Sequence, residues 1–180
     1  CISPNRIFVH KNILEPFTDT LVASIRKMKV GNGMEEDTRI GPLIDEAALE
    51  KMARQVDDAV RKGAKLLLGG RRLTEGEFAR GTFFAPTVLS DVTPEMRIYR
   101  EETFGPIAAI IPFEDEEQVL EMANDTHYGL ASYVYTKDIR RAMRMFEGLH
   151  FGIVGINDIN PTSAAAPFGG MKESGLGREG

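Results

Sequence analysis

Residues 101–111 read Glu101-Glu102-Thr103-Phe104-Gly105-Pro106-Ile107-Ala108-Ala109-Ile110-Ile111, and the two halves of this stretch ask for different surroundings. The second half is a short unbroken apolar run, which predicts a buried strand. The first half sets two carboxylates beside a helix-hostile Gly-Pro turn, with an aromatic ring next to it. A surface turn has no need of Phe104, and a core has no use for two adjacent acids. That mixture suits a loop at the mouth of a pocket, where polar groups meet a ligand's hydroxyls and the ring meets a flat face. A turn with solvated acids and one buried Phe is the plainer alternative for the hexapeptide alone.

Working outward, Ile7-Phe8-Val9 predicts a buried strand. Phe17, Leu21, Ile25 and Met28 recur at helical spacing and predict an amphipathic helix ending before Gly31. Residues 31–43 carry scattered glycines and Pro42 and predict a loop. Asp45 is placed to cap a second helix with the apolar stripe Leu49, Met52, Val56 and Val60; Arg61 and Lys62 in its last turn and Gly63 beyond are stop signals. Residues 65–68 predict a strand and 69–81 an exposed loop, while 83–89 contain Pro86 and predict an irregular or edge segment.

Past the central stretch, Asp115 with Gln118 resembles a capping box opening a helix through Ala123. Residues 131–135 predict a strand, and Asp138 caps a helix carrying Ile139, Ala142, Met143 and Phe146. Residues 152–156 predict a last strand. The alternation implies an α/β fold, with a mostly parallel sheet and helices on both faces. Residues 157–180 are glycine-rich and lack periodicity, so they read as a long ordered loop of the kind that tends to carry function.

Composition narrows the function classes. The chain has 180 residues, room for one domain with a real core, and 42% hydrophobic and 27% charged residues, as in ordinary soluble proteins. Its 22 basic against 27 acidic residues give a net charge of −5, with no basic stripe, which argues against nucleic acid as a partner. No apolar run approaches the roughly 18 residues that would span a membrane. No signal peptide is visible, and the chain opens on Cys1 rather than Met, so it is either processed or cut from something longer. A single cysteine excludes an internal disulfide framework and is compatible with a reducing, cytoplasmic setting.

Cys1 is the only thiol and so the only candidate thiolate nucleophile. A free thiol titrates at about 8.5 and needs a cation, a helix N-terminus or a base to activate it. Its neighbours Ser3, Pro4, Asn5 and Arg6 are polar, unlike those of a structural cysteine, although an inert small hydrophobe is the alternative. His10, His127 and His150 are scattered, and no Cys/His cluster exists, so no metal is expected. There is no phosphate-cradling glycine motif. In residues 167–179, the glycine density marks backbone approaching something closely or a run of turns needing positive φ, and Phe168 with nearby Ser163 could line a mixed pocket.

Four separated segments, in order, carry a resemblance to the catalytic half of the aldehyde dehydrogenases over essentially the whole chain. They are Cys1 with Asn5-Arg6; Gly41-Pro42-Leu43; Glu102-x-Phe104-Gly105-Pro106; and Pro167-Phe168-Gly169-Gly170-x-Lys172-x-Ser174-Gly175. The resemblance implies that Cys1 attacks an aldehyde carbon to form a thiohemiacetal. Loss of hydride to NAD or NADP would leave a thioester that water hydrolyses. It assigns Glu102 to the nicotinamide ribose hydroxyls, Phe104 to the neighbourhood of the ring, Phe168 to the substrate tunnel and Asn157 to support near the cysteine loop. Residues 152–157 and 175–180 are most similar to succinate-semialdehyde dehydrogenases, in which Ser163 would help hold the substrate's far carboxylate. Ser3 stands where some of those enzymes carry a second, switching cysteine, so no such switch is expected.

Family members are more than twice this length. The resemblance therefore makes residues 1–180 a catalytic-domain fragment, inactive alone, that lacks the cofactor-binding domain, the general base, the oxyanion asparagine and the closing strand that pairs with a neighbouring subunit. The full-length protein would be a homo-oligomer. Two readings of other classes compete. One is an N-terminal-nucleophile hydrolase using the α-amino group of Cys1 as base, which demands stacked β-sheets. The other is a non-catalytic structural module. A different aldehyde substrate class also stays open.

Overall fold

The computed structural model describes residues 2–180, and Cys1 lies outside the described residues. The chain divides into two compact units, Asn5–Phe113 and a second built on Glu114–Gly180 together with the leading residues before Asn5.

The first unit runs β1 (Ile7–His10), α1 (Leu14–Ile25), β2 (Lys29–Val30), β3 (Thr38–Ile40), α2 (Glu46–Arg61), β4 (Lys65–Leu68), β5 (Thr87–Ser90), α3 (Arg97–Arg100) and β6 (Ile107–Phe113). Strand β6 lies between β1 and β5 and is parallel to both, while β4 adds to β5 antiparallel. Alternate residues of β6 point to opposite faces. On one face Ile110 joins Val9 and Val88, with Leu14, Phe17, Leu21, Val22 and Ile25 of α1 packed against them. On the other, Leu89, Ala109 and Ile111 are also fully buried. The sheet is thus mostly parallel and covered on both sides.

Several expectations are corrected. The segment containing Pro86 is no edge: β5 is buried at every position and pairs on both sides. Pro86 precedes the strand's first residue, so its missing N–H removes no ladder bond; Thr87 N supplies the first, to Pro106 O at 2.8 Å. Residues 31–43 are not wholly loop, because β3 pairs with β2. Helix α1 stops at Ile25, where Lys27 and Met28 donate to carbonyls three residues back and tighten the last turn, leaving Met28 exposed. In α2 the buried stripe is Leu49, Met52, Val56 and Ala59, and Val60 is 43% exposed. The expected cap is present, with Asp45 accepting from Ala48 N at 2.8 Å.

The second unit contains α4 (Glu116–Asn124), β7 (Ala131–Val134), α5 (Ile139–Gly148) and β8 (Ile153–Ile156), with β7 and β8 parallel. Asp115 caps α4 by accepting from Gln118 N, and the Gln118 side chain accepts from Glu114 N, one residue earlier than a capping box requires. Asp138 caps α5 through Arg140 N and Arg141 N. The expected stripe of α5 is turned: Ala142, Met145 and Leu149 are buried, whereas Ile139, Met143 and Phe146 are exposed. On the exposed side, Glu116 accepts from Arg141 Nε at 3.0 Å and Arg144 Nη2 at 2.8 Å. Among the described residues no helix is long and apolar enough to cross a membrane.

Two stability outcomes follow from this packing. Ile110→Ala empties a site buried in the sheet and should cost about 2–5 kcal/mol in urea unfolding, whereas Val60→Ala should stay within about 0.5 kcal/mol. Arg144, then Arg141, hold the Glu116 carboxyl down to about 2 from its ordinary 4.5. A depressed carboxyl stabilises the folded state above its unfolded value, and that contribution is lost as pH falls from 4.5 towards 2. Glu116→Gln should therefore flatten the acid limb of a stability-against-pH curve in that window and leave its neutral arm parallel to the native one.

Candidate functional site

Within the Asn5–Phe113 unit, residues 101–106 bridge the end of α3 and the start of β6 without regular secondary structure. The loop alternates: Glu102 is exposed, Thr103 is buried, and Phe104 is exposed again at 66%. Phe104 has φ +50°, a left-handed conformation that is unusual for a bulky residue. Gly105 allows the close approach of α2, since a Cβ there would lie 2.4 Å from the Met52 sulfur.

The loop's backbone is held by side chains from elsewhere in the unit. Asn5 Oδ1 accepts from Thr103 N at 2.7 Å, and its Nδ2 donates to Glu101 O at 3.2 Å and Ile98 O at 3.4 Å. Gln55, buried on α2, donates to Glu102 O at 3.5 Å. Two buried oxygens beside this network, Thr103 Oγ1 and Gln55 Oε1, have no hydrogen-bond partner. Helix α3 is fixed in turn by Asp58, which accepts from Arg97 N at 2.8 Å; that bond, with help from Lys62, holds the Asp58 carboxyl below its ordinary range.

The remaining candidates lie in the second unit. Asn157, at φ +54°, spends its side chain on one residue: Oδ1 accepts from Thr136 N and Nδ2 donates to Thr136 O, both at 2.9 Å. It buckles the exit of β7 to the exit of β8 and borders an open hollow of about 660 Å³ with Tyr135, Thr136, Lys137 and Arg141. Ser163 is exposed, and its hydroxyl accepts from Ala165 N within a local turn. Phe168 is half-buried and tied to Glu179 by a reciprocal pair of backbone bonds at 2.7 and 2.8 Å.

The glycine-rich tail approaches its own chain closely. A Cβ on Gly152 would fall 1.9 Å from Gly169 O, and one on Gly169 would fall 2.3 Å from Gly177 O. Lys172 Nζ donates to Asn124 O and Thr126 O, and Ser174 Oγ accepts from Gly129 N. The Tyr133 hydroxyl, whose pKa burial raises, donates to Ile2 O and so fastens the residue next to Cys1 onto β7. Gly155 leaves room for that ring, since a Cβ would meet Tyr133 Cδ1 at 3.0 Å.

Glu102 and Phe104 are thus brought together on one loop, and Asn157, Ser163 and Phe168 belong to the other unit. Sequence reasoning gave no role to Asn5, Gln55 or Tyr133. Gln55 left a signal as a polar residue on the apolar stripe of α2 between Met52 and Val56, and Asn5 one as part of the Cys1 segment. An exposed carboxylate and an exposed ring on a pinned backbone could meet a ligand's hydroxyls and a flat face.

The sequence pattern described as the aldehyde dehydrogenase family matches residues 1–180. A mitochondrial succinate-semialdehyde dehydrogenase of Oryza sativa subsp. japonica is 47% identical over 180 residues, covering 100% of this chain and 33% of its own length. A glutarate-semialdehyde dehydrogenase of Pseudomonas putida is also 47% identical, covering 100% of this chain and 36% of its own. The crystal structure of succinate-semialdehyde dehydrogenase from Burkholderia pseudomallei superposes with a TM-score of 0.94 at 48% identity, over 100% of this chain and 36% of that one. The chain spans about a third of the length of the curated relatives it matches. Other relatives are named for NADP(+) or have been crystallised with NAD+.

Because Gly169 O occupies the space of a Gly152 side chain, Gly152→Ala must displace backbone. It should cost about 1–3 kcal/mol and expose residues 157–180 to early proteolytic cleavage, mapped by mass spectrometry against the native chain.

Proposed function

This chain belongs to the aldehyde dehydrogenase family, and from that premise we propose that the complete protein oxidises a small anionic aldehyde, succinate semialdehyde foremost, to its carboxylic acid. The observation that carries the reading is the loop 101–106, which presents Glu102 and Phe104 outward from a backbone fixed at several points. The whole-length match to semialdehyde dehydrogenases supports the substrate class.

In this reading the Cys1 thiolate adds to the aldehyde carbon, the new C–S bond forming as the carbonyl oxygen takes up a proton. A bound NAD+ or NADP+ would supply the hydride acceptor, and as the hydride leaves this carbon the hydroxyl gives up its proton and the C=O bond re-forms. The thioester that remains is attacked by water, which releases the acid and restores the thiolate. Glu102 would hold the ribose through its hydroxyls, Phe104 would lie on the nicotinamide side of the site, and Phe168 would line the aldehyde's path. Ser163 meets the substrate's far carboxylate, and Asn157 holds the turn at Thr136 that supports the site.

The share of the relatives' length spanned supports taking residues 1–180 as the catalytic-domain portion of a longer enzyme, with cofactor binding completed by other segments. The cytoplasm suits a lone thiol that must stay reduced. An amine-assisted hydrolase would need stacked β-sheets, and parallel sheets with helices favour the dehydrogenase instead.

The test is formation of reduced cofactor by the complete protein with succinate semialdehyde, glutarate semialdehyde and an uncharged aldehyde of similar size. Cys1→Ala should abolish turnover and leave cofactor affinity within about twofold. Retained oxidation in that variant would overturn the nucleophile assignment, and equal rates on all three aldehydes would overturn the anionic substrate class.

A further inference from the structure

Asn5 makes a set of bonds with a specific consequence for one neighbour. Residue 101 contributes its carbonyl to the peptide plane before Glu102, and residue 103 contributes its N–H to the plane after it. A residue's φ and ψ are the rotations of those two planes about its Cα. Asn5 holds both: Nδ2 donates to Glu101 O at 3.2 Å, and Oδ1 accepts from Thr103 N at 2.7 Å. Its Nδ2 also reaches Ile98 O at 3.4 Å, near the C-terminal end of α3. Gln55 adds a bond to Glu102 O, on the plane that Thr103 N shares. The carboxylate side chain itself stays exposed.

Parallel pairing explains why Asn5 is available for this. It stands just before β1, the loop stands just before β6, and the two strands run side by side in the same direction, so both starts lie at one end of the sheet. An amide is suited to the task because it offers an acceptor and two donors on one rigid group. Serine would lack the second donor, and aspartate would lack donors altogether.

We infer that Asn5 is a positioning residue for Glu102: by bracketing both peptide planes it sets the direction in which the carboxylate meets the cofactor's ribose hydroxyls. The inference rests on the proposed dehydrogenase reading. It assigns Asn5 no contact with cofactor or substrate; its effect passes through Glu102.

The experiment is a double-mutant cycle in the complete protein with Asn5→Ala, Glu102→Gln and the pair. Cofactor affinity is read by titration calorimetry, the pre-steady-state burst of reduced cofactor by stopped flow, and amide exchange at Thr103 by mass spectrometry. Asn5→Ala should speed exchange at Thr103 and weaken affinity or slow the burst about tenfold, with the Michaelis constant for aldehyde unchanged. The double variant should be no worse than the more impaired single one, since Asn5 has nothing to position once the carboxylate is gone. If the two losses multiply, or if Asn5→Ala leaves affinity and burst at native values, the inference is overturned.

Should Asn5→Ala fail to fold, Asn5→Asp keeps the size and the Thr103 acceptor and removes both donors, and the same cycle is run with it. A native protein that neither binds nor reduces NAD(P)+ would overturn the dehydrogenase reading and this inference with it. A native protein that does both, alongside an indifferent Asn5 variant, would overturn the inference alone.

Discussion

Strand β6 is hydrogen-bonded along both edges, and its side chains supply both faces of the sheet in the Asn5–Phe113 unit, without a single polar residue among its seven. Its apolar sequence is the condition for the sheet, because Ile110 supplies one face of the core and Ile111 the other. It also displaces the chemistry. Polar groups that cannot sit in the strand are gathered where it begins, at residues 101–106. Ligands in open α/β sheets usually meet the carboxyl ends of the strands. Here the loop bearing Glu102 and Phe104 stands at the amino ends, with Asn5 before β1 and Pro86 before β5 at the same end of the sheet.

How much of this could be read beforehand depended on how local the cause was. The three Asp caps were legible because a cap is a matter of three or four residues, and Asp45, Asp115 and Asp138 all accept the bonds expected of them. The glycine-rich tail was legible as a place of close approach, although the sequence did not say that the approaching backbone was its own. Pro86 misled because its effect turns on a single position: inside a strand it breaks a ladder, and one residue earlier it breaks nothing.

Other features were out of reach because they are settled by partners distant in sequence. Helix α5 buries Met145 and leaves apolar Ile139, Met143 and Phe146 outside, and Glu116 reaches its Arg141 and Arg144 from a different helix. The role of Asn5 depends on residues more than ninety positions away. Glu102 and Phe104 could be named from their motif, yet nothing in that motif says what holds them. The bond from Tyr133 to Ile2 is of the same kind, a strand residue securing a segment from the far end of the chain.

Phe104 adds a constraint on how this loop can change over generations. Its φ of +50° is comfortable for glycine and costly for a bulky side chain, and little ring burial offsets that cost, since the side chain is largely exposed. Drift filtered only for heat tolerance therefore runs downhill from phenylalanine to glycine at this position. The ring persists only where a filter also scores what it does for a bound partner. Laboratory evolution towards ruggedness would erase it early, and the lineage would become sturdier while losing the one aromatic surface the loop displays.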